Sequence, residues 1–218
     1  MNSHQYKTGL FALAASVFLL TGCAPAQPNN AGVYMLVDTS GTYREEIEKA
    51  EQIIRYTLSR LDATDSFAVA RIDTGSFSEK DIVAKMTFDD RPSTINQQKR
   101  VFAEQVNTFV DDSKSSSYTD ITGGLLQAVE YLNEKGPADK TVLIFSDLKE
   151  DLEDGYIRDI EFNLDGFEVI ALNVTKLRSD NVDPREYLDR LDLWQQKVES
   201  SGGHWQVIND LDGLEGLL

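Results

Sequence analysis

The chain has 218 residues, 41% of them apolar, enough for one domain of ordinary size with a substantial core and too few for several large ones. Asp and Glu number 37 against 21 Lys and Arg, a formal net charge of −16 that leaves nucleic acid and anionic lipid surfaces as poor partners. A single cysteine excludes a disulfide framework, so stability must come from core packing.

The first residues, Met1 to Lys7, are polar with one positive charge, and an apolar run follows from Leu10 to Leu20. That run is far shorter than the roughly 20 residues needed to span a bilayer, and it has the shape of a cleaved export signal. It ends in Leu20-Thr21-Gly22-Cys23, which resembles the lipobox of bacterial lipoproteins. The resemblance implies that residues 1–22 are a lipoprotein signal peptide and that Cys23 is diacylated and becomes the mature N-terminus. The opposing reading, a core segment of a cytosolic protein, fits poorly with the terminal position, the small residues before Cys23 and the polar stretch after it. Loss of Lys7 with the signal takes the net charge from −16 to −17. More than one acyl chain, at about 0.8 kcal/mol per buried methylene, anchors stably without a transmembrane helix. Residues 23–32 then form the lipidated cysteine and a tether without hydrophobic period, whose nine residues after Cys23 reach at most about 30 Å. Ala24, rather than Asp, follows the cysteine, and by resemblance to the enterobacterial sorting rule this favours the outer over the inner membrane of the cell envelope.

Residues 33–218 read as one domain in which short apolar runs alternate with longer amphipathic stretches, the pattern of βα units around a mainly parallel sheet. The first strand is Val33 to Val37. A helix follows from Glu45 to Leu61, with Ile47, Ala50, Ile54, Leu58 and Leu61 at helical spacing. Phe67 to Ile72 and Ile82 to Thr87 are the next strands, and the short connection between them, Asp73 to Lys80 with Gly75, predicts a hairpin and an antiparallel edge strand. Ile95 to Val110 is a second helix, with Val101, Phe102, Val106, Phe109 and Val110 inward. Ile121 to Glu134 is a third, with Leu125, Leu126, Val129 and Leu132 inward and Gly136-Pro137 as its stop. Thr141 to Phe145 and Phe167 to Leu172 are strands; like the first, they are apolar on both faces and are predicted central. Pro184 to Glu199 is the fourth helix, His204 to Ile208 the last strand, and Asp210 to Leu218 leaves room for one more short helix. The predicted fold class is α/β, a doubly wound, mainly parallel six-stranded sheet with helices on both faces and one antiparallel edge strand.

In such sheets ligands gather at the carboxyl ends of the strands. The first strand runs into Asp38-Thr39-Ser40-Gly41-Thr42, whose alternate residues Asp38, Ser40 and Thr42 offer one carboxylate and two hydroxyls, with Gly41 permitting a tight turn. Hard oxygen ligands suit magnesium, manganese or calcium. The opposing reading is a polar loop in which Ser40 or Thr42 caps the helix. Two later segments bear on the choice. Ser117-Tyr118-Thr119-Asp120 leads into the third helix, and the fourth strand ends in Ser146-Asp147.

This trio, in this order, resembles the metal-ion-dependent adhesion site of von Willebrand factor A domains, over roughly Val33 to Ile208. The resemblance implies that Asp38, Ser40, Thr42, Thr119 and Asp147 hold a divalent cation, most favourably Mg. It also implies one coordination position open to a carboxylate of a protein partner. In that family hydroxyls hold the ion directly while some aspartates act through water. Two departures stand out: Thr42 replaces the more usual serine, and Leu148-Lys149 follows Asp147 where the family commonly has a glycine.

The acidic run Lys149 to Gly155 reads as a solvated loop or helix start. His4 lies in the signal and His204 at a strand start, so the mature chain holds no histidine pair for acid–base catalysis. Ser-His-Asp and Cys-His systems, phosphate loops and dinucleotide fingerprints are missing from the sequence. Three readings follow: a metal-dependent binding module that is not an enzyme, a metal-independent scaffolding lipoprotein of the same fold, and a haloacid-dehalogenase-like phosphatase. The last normally carries Asp-x-Asp, and position 40 here is serine.

Overall fold

The structure is a computed structural model that describes residues 29–41, 43, 46–73, 78–155, 160–177 and 179–209. Cys23, the signal, Thr42, Gly75 and the tail from Asp210 lie outside the described residues. Six strands form one sheet: β1 (Ala31–Asp38), β2 (Ser66–Ile72), β3 (Ile82–Thr87), β4 (Asp139–Phe145), β5 (Phe167–Leu172) and β6 (His204–Ile208). Their order is β3-β2-β1-β4-β5-β6, with β2 and β3 antiparallel and every other pair parallel. The predicted class therefore holds, edge strand included. β1 begins two residues before its apolar run, and Gly32 is already buried.

The strands alternate their side chains between two covered faces. Tyr34, Leu36, Ala70, Ile144 and Val169 point to one, against α3 (Ile121–Lys135) and α4 (Arg185–Ser200). Val33, Met35, Val37, Phe145 and Ile170 point to the other, against α1 (Ile47–Arg60) and α2 (Pro92–Asp112). A fully buried side chain of this kind contributes about 1.5–3 kcal/mol, so these two layers hold the fold without a disulfide. Among the described residues no helix is long and apolar enough to cross a membrane.

Helix ends follow local chemistry. α2 starts three residues earlier than its apolar period because Pro92 fits a first turn. Only Phe102 and Val106 of its predicted inner residues are fully buried, and Val101 is 37% exposed, so α2 touches the sheet along a narrow stripe. α3 buries Leu125, Ala128 and Leu132, while Leu126 and Val129 are half-buried. It starts at Asp120, whose side chain accepts from the Gly123 N–H at 2.7 Å, and stops at Gly136 with φ +61°. Gly124 lets α3 sit close on the sheet: a Cβ there would lie 2.6 Å from Ile72 and 2.9 Å from Leu36. That packing fixes the loop before α3 relative to the end of β1.

Candidate metal centre

The strand order reverses beside β1, whose two neighbours β2 and β4 lead the chain in opposite directions. Val37 pairs with Phe145, so the next residues, Asp38 at the last position of β1 and Ser146 just past β4, stand side by side at this switch point. The Asp38 carboxylate is 1% exposed. One of its oxygens accepts from the Ser40 N–H at 2.8 Å and from the Thr119 hydroxyl at 3.5 Å; the other accepts from the Ser146 hydroxyl at 2.7 Å. Asp147 is 4% exposed, and its Oδ1 accepts from the Lys149 N–H at 2.8 Å. Asp38 ends β1 and Asp147 lies two residues past β4, and each folds back on the amide two residues on, the habit that suits Asp to turns.

Three loops are laced together around them. Ser116 N–H donates to the Thr39 carbonyl at 2.9 Å, joining the loop before α3 to the end of β1. Thr119 and Asp151 exchange two backbone hydrogen bonds at 2.8 and 2.9 Å, joining that loop to the segment after β4. Glu150 accepts from the Thr122 N–H at 2.6 Å and its hydroxyl at 3.1 Å, capping the first turn of α3. Two members of the acidic run predicted as solvated loop, Glu150 and Asp151, therefore fasten the site. The result is a cleft of about 350 Å³ lined by Ser40, Ser116, Thr119, Asp147, Lys149 and Asp151. Asp38 lies behind it.

The structure brings Asp38, Ser40, Thr119 and Asp147 together; Thr42 lies outside the described residues. Burial pushes the Asp38 carboxyl above its ordinary value, against hydrogen bonds from Ser146, Ser40 and Thr119. Asp147 is pushed up to about 6, first by burial and also by the charge of Asp38, against the Lys149 amide and the charges of Arg190 and Lys149. Two acids held this way beside hydroxyl oxygens are relieved by a hard divalent cation, so the donor set fits one. Carboxylates are few in it, and among the described residues no group of three His, Cys, Asp or Glu side chains gathers to hold a metal. Two larger clefts, about 990 Å³ beside α4 and about 430 Å³ between β3 and α3, gather no such mix of buried acid and hydroxyl, while a third of about 580 Å³ adjoins the site at Ser116 and sets Asp73 and Asp112 beside Thr39 and Ser113.

Three residues at the site were not foreseen from sequence. Ser146 was in view as the neighbour of Asp147, but its bond to Asp38 follows only from the pairing register. Arg190 donates from Nε to the Asp147 carbonyl at 3.2 Å, and Trp194 donates from Nε1 to the Leu148 carbonyl at 3.0 Å. Nothing local in α4 signals either contact. The departure at Leu148 has a visible consequence: this residue has φ +65°, the left-handed backbone that a glycine would adopt freely.

No family model matches the sequence, and no curated protein does. Among solved structures, the chain resembles a von Willebrand factor type A structure from Catenulispora acidiphila at 15% identity and TM-score 0.52, over 86% of this chain and 40% of that one. It also resembles the pilus adhesin SpaC from Lactobacillus rhamnosus GG at 12% identity and TM-score 0.54, over 88% of this chain and 29% of that one. The chain spans less than half the length of either. Likeness at this identity is a likeness of fold, and on that footing the domain has the doubly wound α/β architecture of the von Willebrand factor type A structures.

Proposed function

We propose that this chain is a lipid-anchored cell-envelope protein whose domain binds a divalent cation, magnesium in preference to manganese or calcium, and through it a carboxylate of a protein partner. The observation that carries the reading is the pair of buried acids, Asp38 and Asp147, held at adjacent strand ends behind and beside the hydroxyls of Ser40 and Thr119. Ser40, Thr119 and Asp147 line the cleft and would hold the ion there; Thr42 joins them in this proposal on the sequence resemblance alone. Asp38, set behind, suits a role through water or through the hydroxyls it orients. A bound cation would supply a Lewis-acidic position facing solvent, electron-poor because few of its ligands are anionic. It would also cancel locally the repulsion that the net charge of −17, left once Lys7 is removed with the signal, exerts on an acidic partner.

The role is binding rather than catalysis. Both oxygens of Asp38 are occupied by donors from Ser40, Thr119 and Ser146, and position 40 offers a hydroxyl where a phosphatase of the dehalogenase kind needs a second carboxylate. One structural neighbour is a pilus adhesin, a binding protein of the same fold. Export through the signal, the lipid at Cys23 and an outer-membrane address belong to this proposal.

The test is thermal unfolding of the protein from residue 24 onward, in chelator and with millimolar magnesium, manganese or calcium. A cation at a hundred times its dissociation constant stabilises the native state by about 2.7 kcal/mol, so the midpoint should rise with metal in the parent and stay level in Asp38→Ala. No rise in the parent leaves the metal-independent scaffold as the better reading. Phosphatase turnover with magnesium that disappears in Asp38→Asn would overturn the binding-only role.

A further inference from the structure

After β4 the backbone turns through Asp147, Leu148 and Lys149, with Leu148 buried and strained in the left-handed region. Such a conformation persists only where the surroundings over-determine it. Here the two carbonyls of the turn are gripped by one helix: Arg190 holds that of Asp147 at 3.2 Å and Trp194 that of Leu148 at 3.0 Å. The two side chains stand four residues apart on α4 and so share a face. Neither is free to drift. The Arg190 guanidinium is locked in a bidentate pair with Asp180 at 2.9 and 2.8 Å, and Asp180 is itself tied to the Leu177 N–H at 2.7 Å. The Trp194 ring is 2% exposed, with the Lys197 ammonium 4.6 Å from its centroid.

We propose that Arg190 and Trp194 are positioning residues that hold the strained Asp147–Leu148 turn so that the Asp147 carboxylate faces the cleft, and that α4 thereby sets the cation affinity of the site. This rests on reading Asp147 as a metal ligand. The carboxylate is anchored to the turn by the Lys149 amide, so any relaxation of Leu148 swings it.

The experiment uses two conservative variants. Trp194→Phe keeps a ring and loses the N–H, while Arg190→Lys keeps a cation for Asp180 and loses the Nε–H that donates to the Asp147 carbonyl. Each is made in the parent and in a Leu148→Gly background, where the turn no longer needs holding. Binding of manganese is read from the electron paramagnetic resonance of the free ion. Hydrogen exchange of amides 148–151 is read separately in chelator. Outer partners of metal ligands are worth about 10–100-fold in affinity, and each variant is expected to lose at least about tenfold in the parent and much less beside Leu148→Gly. Exchange at 148–151 should speed up while β1 and β4 keep their protection. Equal losses in both backgrounds would overturn the proposal, as would unchanged affinity in folded variants. If the parent binds no manganese, the metal reading falls, and exchange at 148–151 that the variants leave unchanged overturns the clamp as well.

Discussion

Leu148 sets two opposing terms against each other. Its left-handed backbone costs about 1–2 kcal/mol, while its side chain, 2% exposed within the layer of α3 and α4, returns about 2 kcal/mol or more by burial. A leucine is tolerated because the second term offsets the first. The two can be separated by substitution, since Leu148→Ala loses the burial and keeps the strain, whereas Leu148→Gly loses the burial and the strain together. Alanine is ordinarily the more stabilising residue of the two, by about 0.5–1 kcal/mol in regular structure. Here the order should reverse, with Leu148→Gly more stable than Leu148→Ala by roughly 1 kcal/mol in denaturant unfolding with chelator present. A glycine variant less stable than the alanine one by the ordinary margin of about 0.5–1 kcal/mol would show that the backbone here stores no strain.

At the scale of elements, the short 3-10 turn Ser179–Asn181 and α4 are joined by the Asp180–Arg190 pair, with the Asp180 side chain fully buried and that of Arg190 13% exposed. The guanidinium holds the Asp180 carboxyl below its ordinary value, helped by the Leu177 amide. Its native pKa is therefore lower than its unfolded one, near 3.9. The contribution is present in full above the unfolded value and is lost as pH falls through the native one. Asp180→Asn should accordingly be clearly less stable than the parent at pH 7. The gap should begin to close near pH 4 and vanish below the native value, in denaturant unfolding at pH 7, 4 and 3. A gap independent of pH would mean that the pair acts by shape alone. This link also marks the limit of what was legible beforehand. Strands, helices and the antiparallel edge could be read because period and composition are local, as in the apolar run Val33 to Val37 or the Gly136 stop. That Asp38, Ser40, Thr119 and Asp147 gather at one end of the sheet could be expected because each sits near a strand or helix end and the order of the three motifs resembles a known site. Arg190 and Trp194 could not, because they lie inside an amphipathic helix where a charge and an aromatic residue look ordinary, and they act on carbonyls more than 40 residues away. Ser146 needed the register of β1 against β4.

For the molecule as a whole, the proposed anchoring raises the question of what would keep an acidic domain at a membrane. With Ala31 and Gly32 in β1, the seven residues of the proposed tether, Ala24 to Asn30, reach at most about 25 Å, while charges in physiological salt are screened over about 8 Å. Within the last Debye length of an anionic leaflet the net charge of −17 of the processed chain repels, and beyond it the field is negligible, so electrostatics contributes nothing to retention. Under the proposed export and lipidation, Cys23 alone must then carry the attachment. It is also the only cysteine, so replacing it removes no disulfide from the fold. Cys23→Ala is expected to move the protein from the membrane fraction to the soluble extract of the cell envelope, without a change in the unfolding midpoint of the domain. Undiminished membrane retention in that variant, after a wash at high salt, would mean that another part of the protein or a bound partner holds it there. A fall in the midpoint would mean that the lipidated segment packs on the domain instead of tethering it.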